Sequence, residues 1–251
     1  MLQNKNPLIS IVIPTYKRGE KLQRAIDSVI NQTYTNWEVL VVDDNNPDTK
    51  DRKETEKLIE FYKSDNRIKY LKQVRNSGGA VARNTGIKNS EGELIAFLDD
   101  DDQFLPEKLE KQVQFLNENK NFQGVYCGSI WHGQKVIPCL SGDLRKELLQ
   151  LKTSIFTPTM MFYKSVLLML EGFDENFKRH QDYELLLRFF SKNYEIGVLS
   201  ESLVIIGTNS GENVLRGKDL ENLKRNFLQQ FSSIIEEIEK KRTGFSKRNP
   251  L

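Results

Sequence analysis

Glu38-Val39-Leu40-Val41-Val42-Asp43-Asp44 and, further along, Leu94-Ile95-Ala96-Phe97-Leu98-Asp99-Asp100-Asp101-Asp102 follow one plan, an apolar run that stops abruptly in acid. Short, fully apolar runs of this kind are buried strands. Working outward, Ile9-Ser10-Ile11-Val12-Ile13, closed by Pro14, is a strand of the same type, and Arg67 to Leu71 is a further one. Between them Leu22, Ala25, Ile26, Val29 and Ile30 recur at helical spacing. Leu58, Ile59 and Tyr62 mark a second helix, and Gly78-Gly79 opens a short one that runs through Arg83. Strands alternating with helices predict an α/β fold, a Rossmann-like and mostly parallel sheet flanked by helices. Ligands of such sheets sit beyond the carboxyl ends of the strands, so the two acidic loops are expected to face one crevice.

From about residue 123 the alternation breaks. Gly124 to Ile130 and Gln134 to Ile137 predict strands around a turn, Leu144, Leu148 and Leu151 a helix, Thr159 to Tyr163 a strand, and Tyr183 to Phe190 a helix opening just after Asp182. Past Asp219, the residues Leu220, Leu223, Phe227, Phe231, Ile234 and Ile238 describe a C-terminal amphipathic helix, followed by a basic tail from Lys240 to Arg248. The expected organisation is one domain over 1–218, with a regular half at about 7–122 and a less regular half at about 123–218, and a helical extension over 219–251.

With 38% hydrophobic and 29% charged residues over 251 positions, the chain is that of a folded globular protein. Lys and Arg number 37 against 35 Asp and Glu, a net charge of +2 that excludes nucleic-acid binding by bulk attraction. Runs such as Val166 to Leu170 fall far short of the roughly 20 residues a membrane span needs. Met1 to Pro7 holds no apolar export signal, and Cys127, Cys139, His132 and His180 form neither a disulfide framework nor a zinc spacing. The expected setting is the cytoplasm.

The chemistry lies in the acidic strand ends. Four consecutive aspartates, Asp99 to Asp102, repel one another, and a hard divalent cation, Mn²⁺ or Mg²⁺, would relieve that cost while leaving positions for substrate phosphates. The alternative is a solvated turn ahead of the helix opened by Pro106. Asn76-Ser77-Gly78-Gly79 lacks the Gly-Lys-Ser/Thr ending of a Walker loop. Arg83 is either a surface ion pair or a clamp on a diphosphate, and Asp182 either a helix N-cap or a general base.

Pro-Leu-Ile-Ser-Ile-Val-Ile-Pro-Thr-Tyr at 7–16 resembles the opening of the family-2 inverting glycosyltransferases, whose fold is GT-A. The resemblance continues through Ser28 to Tyr34, Glu38 to Asp44, Ala82-Arg83-Asn84-Thr85-Gly86, Phe97 to Asp102, Gly172-Phe173-Asp174-Glu175 and Gln181-Asp182-Tyr183-Glu184, about residues 7 to 207. It implies that Pro14, Thr15 and Tyr16 hold the nucleotide, that Asp44 meets the uracil edge, and that Arg83 closes over the donor. By the same resemblance Asp99 and Asp101 form the metal motif, with Asp101 the direct ligand, Asp100 lies near the ribose, and Asp182 is the catalytic base. The family usually places Glu before that base; here Gln181 stands there.

The function so implied is metal-dependent, inverting transfer of a sugar from a UDP-sugar to a hydroxyl of a glycan or lipid-linked acceptor in polysaccharide biosynthesis. A nucleotidyltransferase would use a similar acidic cluster but release pyrophosphate. A non-catalytic nucleotide-sugar or glycan-binding module would have no use for Asp182 as a base. The apolar stripe beyond Asp219 must cover something: the chain's own core, a second copy, or a membrane surface. The reading adopted is a cytoplasmic homo-oligomer working at the inner face of the membrane, its tail touching anionic headgroups.

Overall fold

The computed structural model describes residues 5–150, 153, 155–177, 179–207 and 218–236. The chain divides into two units, residues 1–143 with 154–208, and residues 144–153 with 209–251. The elements of the first unit begin with β1 (Ile9–Thr15), α1 (Gly19–Ile30), β2 (Trp37–Asp43), α2 (Lys50–Glu60), β3 (Ile68–Lys72), α3 (Gly79–Asn89) and β4 (Leu94–Phe97). They continue with β5 (Gln103–Phe104), α4 (Lys108–Glu118), β6 (Gly124–Trp131) and β7 (Gln134–Val136). After α5 (Arg145–Leu149) of the second unit come β8 (Met160–Tyr163), α6 (Lys164–Met169), α7 (Gln181–Ser191) and β9 (Ile196–Ile206). The second unit also holds α8 (Lys218–Gln230).

Among the described residues the strands form one sheet in the order β3-β2-β1-β4-β8-β6-β9-β5, with β7 on β6. β1 is parallel to β2 and β4, and β2 to β3. β8 runs antiparallel to both β4 and β6, and β9 is parallel to β6. Two reversals restore direction, so β6 and β9 point the same way as β1, β2 and β4. The carboxyl ends of all five strands therefore lie along one edge, where an open α/β sheet binds ligand.

Apolar burial builds this sheet. Every residue of β2 and β4 is buried, as strands covered on both faces require. Pro14, which has no N–H, sits beyond the stretch Ile9 to Val12 that pairs with β4, so it interrupts no ladder there. Two polar residues inside the sheet satisfy each other: the Ser10 hydroxyl donates to Glu38 at 2.5 Å, and Glu38 also accepts the Glu91 amide at 2.6 Å and pairs with Lys69 at 2.8 Å. α3 packs on β1 through Gly86, where a Cβ would lie 2.3 Å from Val12 Cγ1.

The expected parallel half is present, and β8, β6 and β7 match the strands foreseen after residue 123. Two strands were not foreseen. β5 is too short for any pattern to reveal, and β9 has an interior of Ser200, Glu201 and Ser202 that breaks its apolar run, with a register shift against β6 at the same place. In the second unit the C-terminal helix is present as α8, but the chain turns at Phe231 before resuming helix over 232–236. Phe227 and Phe231 pack ring to ring at 4.9 Å. Ile238 and the basic tail lie outside the described residues.

The close approach at Gly86 yields a test of the fold. Gly86→Ala should lower stability by about 2 kcal/mol, the scale of core overpacking. Adding Val12→Ala should recover part of the loss, read as the coupling energy in a urea-denaturation cycle; additive effects would show that the helix does not meet the strand at this point.

Candidate active site

The loop after β1 and the loop after β4 are laced together. Asp100, buried, accepts the Thr15 hydroxyl at 2.9 Å, the Tyr16 amide at 3.4 Å and Arg18 Nη1 at 3.1 Å. The same Arg18 nitrogen lies 3.0 Å from Asp101 Oδ2, with Lys21 Nζ at 3.9 Å. Asp102 turns away and accepts the Gly207 amide at 2.6 Å. Asp99 pairs with Arg83 Nη2 at 2.5 Å. The four carboxylates thus find three sets of partners: Asp100 and Asp101 share Arg18, Asp99 takes Arg83, and Asp102 the Gly207 amide. Beside the divalent cation expected to relieve their repulsion, the chain itself supplies cationic charge in Arg18, Lys21 and Arg83. Arg18 was not singled out in the sequence, and its signal there was only a cation directly after Tyr16-Lys17.

Burial still marks these acids. Asp100 is pushed up to about 6 by desolvation, against the pull of Arg18 and Thr15. Asp101 and Asp102 are raised for the same leading reason, with neighbouring aspartates adding to it. Asp101 Oδ2 is a buried oxygen that accepts no hydrogen bond, although it is ion-paired to Arg18, and the Asp101 side chain is 7% exposed. The Asp99 side chain is 34% exposed. No group of three His, Cys, Asp or Glu able to hold a metal occurs among the described residues. Two carboxylates with hard oxygens do fit Mn²⁺ or Mg²⁺, ions that complete their shells with phosphate oxygens and water.

Asp44, at the end of β2, anchors the loop that leads into α3. It accepts the Ser77 amide on Oδ1 and the Gly78 amide and Asn76 Nδ2 on Oδ2, each at 2.8 Å. A carboxylate has about four acceptor positions; three are used here, in a residue that is buried. Beneath it Asp43 is fully buried, paired with Arg52 at 3.3 Å and accepting the Tyr70 hydroxyl at 2.5 Å, while Asn45 accepts the Lys17 amide at 3.0 Å. Pro14 pairs with Val42 in the sheet, Thr15 is buried, and Tyr16 is exposed at the crevice edge.

Asp182 reaches the same edge from α7. The helix begins at Gln181, with His180 as its cap in the left-handed region (φ 54°), so Asp182 is a first-turn residue and not the N-cap. Its Oδ1 accepts the Tyr183 amide at 2.9 Å. Desolvation lifts its carboxyl to about 6, while the Tyr183 amide and the charge of Arg83 pull it down and that of Asp99 pushes it up. A carboxyl poised there is ionised at neutral pH yet basic enough to accept a proton. Gln181 links the two sides: its Oε1 accepts Arg83 Nη1 at 3.0 Å and its Nε2 donates to the Phe177 carbonyl at 2.7 Å.

The raised Asp182 carboxyl has a cost that can be measured. A carboxyl whose folded pKa exceeds its unfolded value contributes stability below the unfolded value, near 4, and loses it as pH rises through about 6. Asp182→Asn should therefore melt higher than wild type at pH 8, with the advantage vanishing toward pH 4. A variant that melts lower at pH 8 would mean the carboxylate is held by compensating contacts.

Residues 10–169 match the family model described as Glycosyl transferase family 2. An uncharacterised glycosyltransferase of Rickettsia felis is 35% identical over 217 residues, covering 82% of this chain and 34% of that protein, so the chain spans about a third of that relative's length. Among solved structures, S. aureus TarS 1-349 in complex with UDP-GlcNAc superposes with a TM-score of 0.70 at 21% identity, over 88% of this chain and 65% of that one. The mannosyltransferase PcManGT of Pyrobaculum calidifontis, in complex with GDP-Man and Mn²⁺, gives 0.67 at 19% identity, over 92% and 65%. At such identities the likeness establishes the fold, which is GT-A. With that fold and a family match over most of its length, the chain belongs to glycosyl transferase family 2.

Proposed function

We propose that the chain is a metal-dependent, inverting glycosyltransferase that moves a sugar from a nucleotide-sugar, specifically a UDP-sugar, to a hydroxyl of a glycan or lipid-linked acceptor in polysaccharide biosynthesis. The observation that carries the reading is the bridge made by Arg83, which joins Asp99 on the acidic strand end to Gln181 beside Asp182. Donor-binding and proton-accepting groups are thereby fixed against each other. The UDP-GlcNAc of the TarS complex and the GDP-Man and Mn²⁺ of the mannosyltransferase complex support a nucleotide-sugar donor with a divalent ion.

Asp101, with Asp99, would hold Mn²⁺ or Mg²⁺, which when bound supplies a Lewis acid for the diphosphate. The remaining roles fall to the chain itself. Pro14, Thr15 and Tyr16 receive the nucleoside, and the Asp44 carboxylate suits the imino N–H of uracil, a donor that cytosine lacks. Asp100, already holding Thr15, Tyr16 and Arg18, forms the floor beneath the ribose. Asp182 accepts the acceptor hydroxyl's proton as that oxygen attacks the anomeric carbon. The bond to the diphosphate breaks on the opposite face, and Arg83 meets the negative charge that departs. One displacement inverts the configuration without a second nucleophilic carboxylate.

Wild type incubated with UDP-sugars and Mn²⁺ should release UDP and not pyrophosphate. Asp182→Asn should lower kcat by about 10³-fold or more while UDP still binds, and the wild-type rate should fall below about pH 6 as the base protonates. Release of pyrophosphate, or full activity in Asp182→Asn, would overturn the assignment. Calorimetry of UDP binding should show a large loss with EDTA and in Asp101→Ala; equal affinity in all cases would remove the metal from the scheme.

A further inference from the structure

Trp131 is the last residue of β6 and is 44% exposed. β6 runs parallel to β4, so Trp131 stands on the edge that carries the acidic loops. A chain of contacts fixes how near it is. Trp131 pairs with Ile206 of β9, the next residue, Gly207, donates its amide to Asp102 at 2.6 Å, and a Cβ on Gly207 would lie 2.2 Å from the Asp101 carbonyl. One strand spacing therefore separates the Trp131 backbone from the segment that touches the acidic loop.

The ring is held rather than loose. His132 and Gly133 both adopt positive φ, 49° and 75°, forming a two-residue hairpin turn that sets Trp131 opposite Gln134. The His132 ring lies 5.0 Å from that of Trp131 and the Phe156 ring 5.7 Å, tilted by 46° and 57°. The Phe156 backbone is pinned in turn, its carbonyl accepting the Thr159 amide at 2.9 Å and the Thr159 hydroxyl at 2.6 Å. None of the mechanism above uses this cluster.

Resting on the glycosyltransferase reading, we infer that Trp131, braced by Phe156 and His132, is the stacking platform for a neutral pyranose ring of the acceptor. A pyranose carries a face of C–H groups with partial positive charge, which complements the electron-rich face of an indole. The exposed Gln134 amide beside it offers hydrogen bonds to hydroxyls at the ring's rim. A lipid surface would call for a continuous apolar patch. Trp131 is instead neighboured in its hairpin by exposed His132, Gln134 and Lys135, while the exposed Ile137 lies beyond Val136, the partner of Ser129.

The chain's two tryptophans make the test direct, because Trp37 is buried beneath Arg67, whose guanidinium lies 3.7 Å from the ring centroid, whereas Trp131 is exposed. Tryptophan emission of the full chain, loaded with UDP and Mn²⁺, should change on titration with at least one neutral tetrasaccharide from a panel of cello-, chito-, malto- and mannotetraose. Calorimetry, which does not depend on the indole as reporter, should show that tetrasaccharide binding is lost in Trp131→Ala and retained in Trp131→Phe, which keeps an aromatic face. With an acceptor from that panel, Trp131→Ala should raise KM about tenfold or more with kcat little altered. Slow hydrolysis of the UDP-sugar in the absence of acceptor is the control that separates the two claims, for it should be the same in wild type and Trp131→Ala. If wild type hydrolyses the donor and no tetrasaccharide signal depends on Trp131, the platform is overturned while the enzyme reading stands. If Trp131-dependent binding occurs without any donor hydrolysis, the enzyme reading fails and the platform remains. A Trp131 blue shift with anionic phospholipid vesicles in place of sugar would overturn the platform in favour of a membrane contact.

Discussion

Arg83 is the hinge of the account, because it satisfies two demands at once. On one side its guanidinium neutralises Asp99 at 2.5 Å, and on the other it is held by Gln181 at 3.0 Å, next to Asp182. The planar fork presents two nitrogens at a fixed spacing, Nη2 to Asp99 and Nη1 to Gln181, which the single nitrogen of an ammonium does not. The site is cut to suit it: Gly79 opens α3 at a place where a Cβ would lie 3.1 Å from Arg83 Nη1, and Phe173 lies under the guanidinium with its ring centroid 5.5 Å away. The loop that carries Phe173 is secured by Asn84, one residue on, which donates to the Phe173 carbonyl at 2.9 Å and accepts the Phe173 amide at 2.8 Å. Helix α3 thus fixes both the arginine and the surface it lies on.

Charge explains why the surroundings are built as they are. Buried carboxylates are costly unless paired. Asp43, Asp44, Asp100 and Asp102 are all buried, and each is held by hydrogen bonds or an ion pair: Asp43 by Arg52 and Tyr70, Asp44 by the Asn76–Gly78 loop, Asp100 by Thr15 and Arg18, Asp102 by the Gly207 amide. Each partnership also ties one strand end to another segment. The acids that could serve a ligand therefore stand on a frame made of acids that serve the fold. Asp182, like Asp100, is raised to about 6 by burial, here against the pull of the Tyr183 amide and the charge of Arg83, and it stands in the first turn of α7. Stability given up at one group is the usual mark of a residue kept for reactivity.

Much of this was legible in the residues. The apolar runs at 9–13, 38–42 and 94–98 gave the parallel core, because a strand buried on both faces leaves a continuous signature. The acidic strand ends gave the edge to watch, and the order of motifs gave the family. Less visible were contacts made across the chain. Nothing near Arg18 in the sequence says that it lies between Asp100 and Asp101, some eighty residues away, and nothing near Gln181 says that its amide holds Arg83. β9 is hidden by its own polar middle, and Trp131, an isolated aromatic at a strand end, has no periodic signature. Of the two readings of Asp182, the helix excludes the N-cap, since α7 begins at Gln181 with His180 as its cap at a positive φ that composition does not announce.

The central claim is that a carboxylate faces the donor from the side opposite its leaving diphosphate, so that one displacement completes the reaction. Water can stand in for the acceptor, which allows a measurement without knowing the acceptor's identity. Proton NMR of the sugar freed from an α-linked UDP-sugar, recorded before mutarotation, should show the β anomer forming first. Initial release of the α anomer would contradict single displacement and the role given to Asp182.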